Sequence, residues 1–473
     1  MRSKKPQKIF SQIKVIDAGA KGKSVAKAPD GRIIFMNEAI PGDIVDVQAK
    51  KRRKSYYEGK VISIIKKSKF RVDPKCSHFQ VCGGCSWQNM KYDKQLDYKE
   101  KEVQNNLHRI GNIKPDKILP IKKSEKEFFY RNKLEFSFSN SKWLTTKEIK
   151  SKNIYTDKDA LGFHVPGMWN KVVDIDKCWL QKNPSNSIRN FIKESAKTLG
   201  LSFFDYKTTN GDLRSMMIRI SSSGDIMVLI QFYNKPKLME KFLNSVLNEF
   251  PNISSLLYVV NKKANDTLYD QKIVCYYGND HIYETIGNLK FKINAKSFYQ
   301  TNSDQTKELY KIVKKFANIK SNEIVYDLYS GIGTISIFIS EYAKKVIGIE
   351  CINEAVKAAK ENKKLNSIKN VNFFCGEIRK ILNNDFLEKN GSPDTIIIDP
   401  PRSGMHRKVV DKLLAICPKK IVYVSCNSAT QARDLDLLSK SYKAIISQSI
   451  DMFPQTYHVE NVVLLKKNNL INE

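Results

Sequence analysis

The first seventy residues alternate apolar and polar positions in short runs, with turn residues such as Asp30-Gly31 between them. Alternation with a period of two is typical of strands that bury one face. The runs lie at residues 13–16, 32–36, 43–47 and 58–64. Short strands at this spacing predict a small, five-stranded, OB-like β-barrel over residues 1–68.

Both helical and strand periods occur between residues 69 and 295, which predicts an α+β central domain. Helical spacing of apolar residues is found at 91–110, 187–199 and 235–250, and strand-like runs lie at 128–138, 216–220, 226–232 and 255–260.

Helices and strands alternate regularly from about residue 303, which is typical of a doubly wound parallel sheet. The predicted strands are 323–328, 345–349, 370–374, 395–398 and 421–425. We assign this sheet to a third domain, residues 296–473. Since 473 residues exceed what one hydrophobic core usually supports, the chain is predicted to be an α/β multidomain protein.

The chain is strongly basic, with 81 Lys and Arg against 49 Asp and Glu and a net charge of +32. A Lys-rich organism would give some of this excess, but such a charge also favours a polyanion such as RNA. The sequence shows neither a signal peptide nor an apolar run long enough for a membrane span. Nine cysteines without a secretory signal then indicate the cytoplasm, and we expect a monomer.

Four cysteines in the first part of the chain form a three-plus-one set. Cys76, Cys82 and Cys85 surround two glycines, and the fourth member is Cys178. Zinc sites usually show two paired clusters, whereas four thiolates suit a 4Fe-4S cluster. We therefore predict a 4Fe-4S cluster and keep zinc, with His78 as a substitute ligand, as the alternative.

A glycine loop follows the first strand of the third domain, in the run Asp-Leu-Tyr-Ser-Gly-Ile-Gly-Thr at 327–334. Glu350 ends the second strand, where nucleotide-binding folds place the acid that binds ribose hydroxyls. A dinucleotide site would favour another glycine at position 336, which is Ser336. The run instead resembles the class I S-adenosylmethionine methyltransferases.

A cysteine ends the fifth predicted strand, and polar residues follow two other strands at the same edge of the sheet. Cys426 follows 421–425, Asp399 begins the loop Asp-Pro-Pro-Arg-Ser-Gly, and Glu460 and His458 lie in the last hairpin. Ligands of open α/β sheets bind at the carboxyl ends of the strands. Arg402 stands where enzymes that methylate exocyclic amines carry an aromatic residue for stacking.

Several motifs together resemble the RNA 5-methyluridine methyltransferase family over essentially the whole chain. They are FYQTN at 298–302, DLYSGIGT at 327–334, DPPRSG at 399–404, VSCN at 424–427 and DMFPQTYHVE at 451–460. The resemblance implies that Cys426 is the nucleophile and Glu460 the base, and that S-adenosylmethionine is bound by Gln300, Tyr329, Glu350 and Asp399. Gln455 departs from the family, whose members often carry His there.

Methylation of uracil C5 explains why such a site needs both a thiol and a carboxylate. Addition of a thiolate to C6 makes C5 nucleophilic, and a base must afterwards remove the C5 proton. The residues 18–26 and Pro41-Gly42-Asp43 resemble a TRAM domain. With the four cysteines, this resemblance implies the 23S rRNA branch of the family, because the tRNA branch usually lacks both parts.

Three other functions remain open at this point. A tRNA 5-methyluridine enzyme would share the catalytic motifs. A 5-methylcytosine enzyme would place a cysteine after the Asp-Pro-Pro prolines, where this chain has Arg402 and Ser403. A non-catalytic RNA-binding assembly factor would tolerate the loss of Cys426 and Glu460, and both are present.

Overall fold

The computed structural model describes residues 8–150 and 157–468. Its first unit is a closed barrel in the strand order β1-β2-β3-β5-β4, which confirms the predicted five-stranded barrel. The strands are β1 (Ile9–Ala18), β2 (Ser24–Lys27), β3 (Ile33–Met36), β4 (Ile44–Arg52) and β5 (Tyr56–Lys66). A short 3-10 turn, Ala20–Gly22, joins β1 to β2. The alternating apolar residues fill the barrel, where Ile34, Val45 and Val47 are fully buried.

Two elements connect the barrel to the central sheet: α1 (Tyr92–Arg109) and β6 (Lys117–Lys122). Both pack on the third domain. β6 pairs in parallel with the edge of the last sheet, and α1 contacts a helix of that domain. The predicted boundaries at 68 and 295 stay predictions.

The central domain is built on a seven-stranded sheet in the order β13-β12-β11-β10-β7-β8-β9. Its strands are β7 (Lys133–Ser139), β8 (Ala160–Val165), β9 (Met168–Asp174), β10 (Leu213–Ile220), β11 (Ile226–Phe232), β12 (Ser255–Val260) and β13 (Val274–Gly278), and its helices are α2 (Thr146–Lys150), α3 (Ser185–Thr198) and α4 (Met239–Glu249). One sheet face packs against α3 and α4 through residues such as Ile192 and Phe242. The opposite face, with Met217 and Leu229, packs toward the third domain.

A two-stranded hairpin, β14 (His281–Ile286) and β15 (Leu289–Asn294), precedes the third domain, whose sheet has the order β18-β17-β16-β19-β20-β22-β21-β6. Its strands are β16 (Ile324–Leu328), β17 (Lys345–Glu350), β18 (Val371–Cys375), β19 (Thr395–Ile398), β20 (Lys420–Ser425), β21 (Tyr442–Ile450) and β22 (Glu460–Lys467). Its helices are α5 (Ser303–Ala317), α6 (Thr334–Ile339), α7 (Asn353–Leu365), α8 (Ile378–Ile381), α9 (Asn384–Asn390), α10 (Arg407–Ile416) and α11 (Ser428–Leu438), with a 3-10 turn at Ser340–Tyr342.

The strands β16 to β20 are parallel, as the alternating pattern predicted. Of these, β16, β17, β19 and β20 are buried on both faces, which explains their high Val and Ile content. β22 runs antiparallel to β20 and β21. Among the residues described, no helix is long and apolar enough to cross a membrane.

Candidate active site

The candidate nucleophile and base are brought together by strand pairing. Ser425 of β20 pairs with Asn461 of the antiparallel strand β22. One further step in this register places Cys426 opposite Glu460, and directly opposed residues project on the same face of a sheet. Two side chains that are far apart in sequence therefore meet at the edge where the parallel strands end.

The glycine loop is fixed by the acid that ends β17. The Gly331 N–H donates to Glu350 Oε2 at 3.1 Å, and the Ile352 N–H donates to Glu350 Oε1 at 2.9 Å. Gly331 has a φ of 53°, and a Cβ built there meets nothing within 4 Å among the described residues. The loop therefore borders open space beside a buried carboxylate.

Buried polar atoms beneath this loop lack partners. Asp327 Oδ2 accepts a hydrogen bond from the Ser336 hydroxyl at 2.6 Å, whereas Asp327 Oδ1 and Ser330 Oγ have no hydrogen-bond partner within the described part of the chain. Tyr329 takes a φ of 66° in the same turn, and its N–H donates to the Ile349 carbonyl. Open space, unpaired polar atoms and a carboxylate suit the amino-acid and ribose parts of S-adenosylmethionine.

Three acids of the site have raised pKa values. Burial raises the pKa of Asp327 to about 7, with a contribution from the charge of Glu350. Burial and the charge of Asp327 raise the pKa of Asp399 to about 7. Burial, and then the charge of Asp399, hold the pKa of Glu460 well above its usual range. Three carboxyl groups that share one desolvated edge cannot all be ionised cheaply.

Cys426 is half-buried, and burial is the main reason that its thiol pKa rises to about 12. The charges of Glu460 and Asp399 raise this pKa further, whereas the Arg402 guanidinium lowers it by charge and by a hydrogen bond. Arg402 also lowers the pKa of Glu460. The sequence analysis noted only that Arg402 stands where other methyltransferases carry an aromatic residue. The sequence did not indicate that this side chain lies beside the Cys426 thiol.

The loop between β21 and β22 carries the site and is held by polar contacts with α1. Lys99 donates to Asp451 Oδ1 at 2.6 Å, and both side chains are completely buried. The Tyr92 hydroxyl donates to Asp451 Oδ2 at 2.9 Å. Lys99 also donates to the Phe453 carbonyl at 3.0 Å. Sequence patterns did not reveal this network, because it joins segments more than 300 residues apart.

The chain departs from the family motif at Gln455, which connects the loop before β22 to α1 and to the segment after the cysteine loop. The Gln455 N–H donates to Gln95 Oε1 at 2.9 Å, and Gln95 Nε2 donates to Gln455 Oε1 at 3.0 Å. The Gln455 carbonyl accepts the N–H groups of Ser86 and Trp87, next to the cysteine loop. His458, three residues on, is half-buried, and burial lowers its pKa to about 4, so it is neutral at physiological pH.

Gln300 lies in the loop before α5. It is 9% exposed, and its carbonyl accepts from Asn132 Nδ2 at 3.0 Å. Asn302 caps α5 by accepting from the Gln305 N–H and donates from Nδ2 to the Met452 carbonyl at 3.1 Å. The FYQTN motif is thereby attached to the loop that leads to Glu460.

The four predicted metal ligands lie on two segments that contact each other. His78 Nε2 accepts the N–H of Asp176 at 3.0 Å, which joins the Cys76–Cys85 loop to the segment before Cys178. The thiol pKa values are raised, chiefly by burial and also by neighbouring cysteines, to about 12 for Cys82 and Cys85. The described residues nevertheless include no group of three or more His, Cys, Asp or Glu side chains placed to hold a metal ion. The structure therefore does not show the predicted iron–sulfur site.

The first strand of the doubly wound sheet leads into a glycine loop, and the acid that ends the second strand holds this loop. This arrangement is that of a class I S-adenosylmethionine-dependent methyltransferase. Comparison with known proteins gives the family within this class. The family described as tRNA (Uracil-5-)-methyltransferase matches residues 269–468. The chain belongs to this RNA uracil-5-methyltransferase family, which confirms the resemblance seen in the motifs.

Relatives match along nearly the full chain. An uncharacterized RNA methyltransferase of Bacteroides thetaiotaomicron is 48% identical, over 94% of this chain and 99% of the relative. One from Porphyromonas gingivalis is 45% identical, over 96% and 100%. The solved structure of the Pyrococcus abyssi tRNA (uracil-54, C5)-methyltransferase, in complex with S-adenosyl-L-homocysteine, is similar with a TM-score of 0.73 and 27% identity, over 96% of this chain and 100% of that one.

Proposed function

We propose that the protein methylates C5 of a uridine in RNA, with Cys426 as the nucleophile and Glu460 as the base. The observation that carries this proposal is the pairing of β20 with β22, which sets the thiol opposite the carboxyl group. Reaction at a base requires the uridine to leave its stack and enter the site.

The proposed reaction begins and ends at the Cys426 thiol. The Cys426 sulfur loses its proton to solvent and forms a bond to uracil C6, and the electrons of the C5–C6 double bond shift toward C5 and the C4 oxygen, so that C5 gains carbanion character. S-adenosylmethionine would supply the methyl group to C5, with its S–CH3 bond breaking to leave S-adenosylhomocysteine. Glu460 then takes the C5 proton, the C5–C6 double bond forms again, and the S–C6 bond breaks to release the Cys426 thiolate.

The electrostatics of the site support these roles. A carboxylate with a raised pKa is a stronger base once ionised, which suits Glu460 for removing a carbon-bound proton. Arg402 stabilises the thiolate form of Cys426, both before addition and on release. Gln300, Tyr329, Glu350 and Asp399 are proposed to hold S-adenosylmethionine, with Glu350 accepting from its ribose hydroxyls.

A trapping experiment tests the two catalytic roles. Glu460→Gln should allow addition and methyl transfer but block proton removal, so a covalent protein–RNA adduct should accumulate on denaturing gels. Cys426→Ala should give no adduct. An equal adduct with Cys426→Ala would refute the nucleophile, and the absence of any adduct with Glu460→Gln would refute the base.

We propose 23S rRNA as the substrate, because the TRAM-like barrel and the four cysteines resemble the rRNA branch. A second candidate is tRNA, since the tRNA (uracil-54, C5)-methyltransferase matches 96% of this chain, barrel included. Mass-spectrometric mapping of 5-methyluridine in cells with and without the gene separates them. Loss from 23S rRNA supports the first, loss from tRNA supports the second, and no loss would favour a binding factor. We propose that the protein acts in the cytoplasm as a monomer.

We also propose that Cys76, Cys82, Cys85 and Cys178 hold a 4Fe-4S cluster. The support is the donor set: four thiols on two joined segments, with Cys82 Sγ already accepting the Gly84 N–H at 3.4 Å. His78 uses its Nε2 to accept the Asp176 N–H, which argues against zinc held through that atom. Anaerobic purification should give four iron and four sulfide per chain, as the cluster formula requires. Zinc without sulfide would refute the cluster.

A further inference from the structure

A cavity of about 510 Å³ lies on the face of the central sheet that turns toward the third domain. Its floor includes Met217 and Leu229 of β10 and β11, and its rim includes the segments around Tyr269 and Phe298. Neither the proposed chemistry nor S-adenosylmethionine binding uses this cavity. An apolar floor with a polar and aromatic rim is the usual form of a ligand site.

One buried polar side chain in the cavity, that of Gln231, has a hydrogen-bonding atom available to a ligand. It is 2% exposed and lines the cavity. Its Oε1 accepts from the Ser215 hydroxyl at 2.7 Å, whereas its Nε2 has no hydrogen-bond partner among the residues described. Turning the amide over would still leave one of its two polar atoms unpaired. A buried amide of this kind is costly unless a ligand pairs with it.

The rim offers rings and a cation. Tyr269 is 67% exposed and Phe298 is 70% exposed, although both are large aromatic residues. Lys296 also lines the cavity and donates to the Tyr269 carbonyl at 3.0 Å, which joins the two rim segments. Exposed rings beside a lysine are the arrangement that stacks bases and contacts phosphates.

Carboxylates in the same cavity indicate a base rather than a phosphate inside it. Glu135 and Asp266 line the cavity, and Glu135 is paired with Lys133 at 2.9 Å. Lys133 and Lys296 also line the cavity and offset these two carboxylates, so its interior carries no excess positive charge for a phosphate, whereas the amino groups of a nucleobase can donate to the carboxylates.

Segments that line the cavity lead along the chain to residues of the proposed active site. Phe298 lies two residues before Gln300, and the Asn132 N–H, one residue before Lys133, donates to the Thr301 carbonyl at 2.7 Å. Arg131 forms an isolated β-bridge with Asn302, whose Nδ2 donates to the Met452 carbonyl in the loop that leads to Glu460. A nucleotide next to a uridine held at Cys426 could therefore extend into the cavity.

We propose that this cavity binds the base of an RNA nucleotide near the target uridine, with Tyr269 stacking on the base and Gln231 contacting its polar edge. The proposal rests on RNA being the substrate and adds a site that reads sequence outside the target base. Such a site would give the enzyme a means to select one uridine among many.

The test compares two exposed tyrosines. Tyr269→Ser removes a ring from the rim, and Tyr277→Ser is the matched control, since Tyr277 is 49% exposed on β13 and does not line the cavity. Each variant is made in the full chain with Cys426→Ala, so that binding is measured without reaction. The probes are unmodified 23S rRNA and tRNA transcripts in filter binding. Tyr269→Ser should raise Kd for the bound transcript roughly tenfold, as loss of one base–aromatic stack does, and Tyr277→Ser should leave it unchanged.

Gln231→Leu, of similar volume, tests the reading of the base. This variant is made with Cys426 intact, so that methylation can be measured. The ratio of methylation rates between substrates that differ at one base near the target should fall by about tenfold, with S-adenosylhomocysteine binding unchanged. Wild-type binding by Tyr269→Ser, or an equal loss with Tyr277→Ser, would refute the proposal. If the wild-type enzyme methylates neither RNA, the proposed function fails, while the binding comparison still decides whether the cavity contacts RNA.

Discussion

Replacing Lys99 by Met should destabilise the catalytic domain and its active-site loop together. Lys99 and Asp451 form an ion pair at 2.6 Å with both side chains completely buried. Removing one partner leaves a buried charge without its counter-charge, which typically costs about 3 to 5 kcal/mol. Asp451 would keep hydrogen bonds from Tyr92 and from the Phe453 N–H. We therefore expect a loss near the lower end, about 3 kcal/mol, or more than a hundredfold in the unfolding equilibrium.

The assay is urea denaturation of the full chain, followed by tryptophan fluorescence, with methyl transfer measured in parallel. Lys101→Met is the matched control: it lies on the same helix, and its ion pair with Asp17 at 2.7 Å is solvent-exposed. This control should change stability by less than about 1 kcal/mol. The double variant Lys99→Met/Asp451→Asn should recover part of the loss, since no buried charge remains. A loss below about 1 kcal/mol for Lys99→Met would refute the reasoning.

Three further predictions concern the site. Glu350→Ala should weaken S-adenosylhomocysteine binding at least tenfold in calorimetry, through loss of charged hydrogen bonds, whereas Glu361→Ala on the exposed face of α7 should not; equal losses would argue against the cofactor role. Burial raises the pKa of Asp327 to about 7 in the folded protein, whereas in the unfolded chain this carboxyl group loses its proton near pH 4. Between these two pH values the folded state binds more protons than the unfolded state, so the free energy of unfolding falls as pH rises. Asp327→Asn should therefore raise the melting temperature more at pH 8 than at pH 4, and an equal shift at both would contradict this linkage. Arg402→Gln should slow iodoacetamide alkylation of Cys426 at pH 8 roughly tenfold, because the thiol pKa should rise by about one unit. Peptide mass spectrometry measures the rate, and an unchanged rate would show that Arg402 does not stabilise the thiolate.

The local features of the site could be predicted from sequence because each is a short pattern tied to one strand end. The glycine loop with Glu350, and Cys426 at the end of β20, follow from the strand positions alone. The pairing that brings Glu460 to Cys426 was expected from the family motifs, and the structure provides its register.

The supports of the site could not be predicted, because they depend on tertiary pairing. Neither the parallel pairing of β6 with β21 nor the burial of Lys99 against Asp451 leaves a periodic signal. A lysine in a charged helix such as α1 is usually solvated. The position of Arg402 beside Cys426 depends on a loop conformation. The iron–sulfur prediction rests on cysteine spacing, which indicates the type of ligand but not where the ligands lie.

The contact of α1 and β6 with the last sheet has a consequence for synthesis on the ribosome. Tyr92 and its partner Asp451 are 359 residues apart in the chain. At about 5–20 residues per second, Tyr92 is made roughly 20 to 70 seconds before Asp451 exists. During that interval α1 carries an unpaired Lys99 on a face that is later buried, and β6 presents an unpaired strand edge. The nascent chain therefore has a long period in which this segment must be shielded, and a fragment that ends before β21 would keep it exposed permanently.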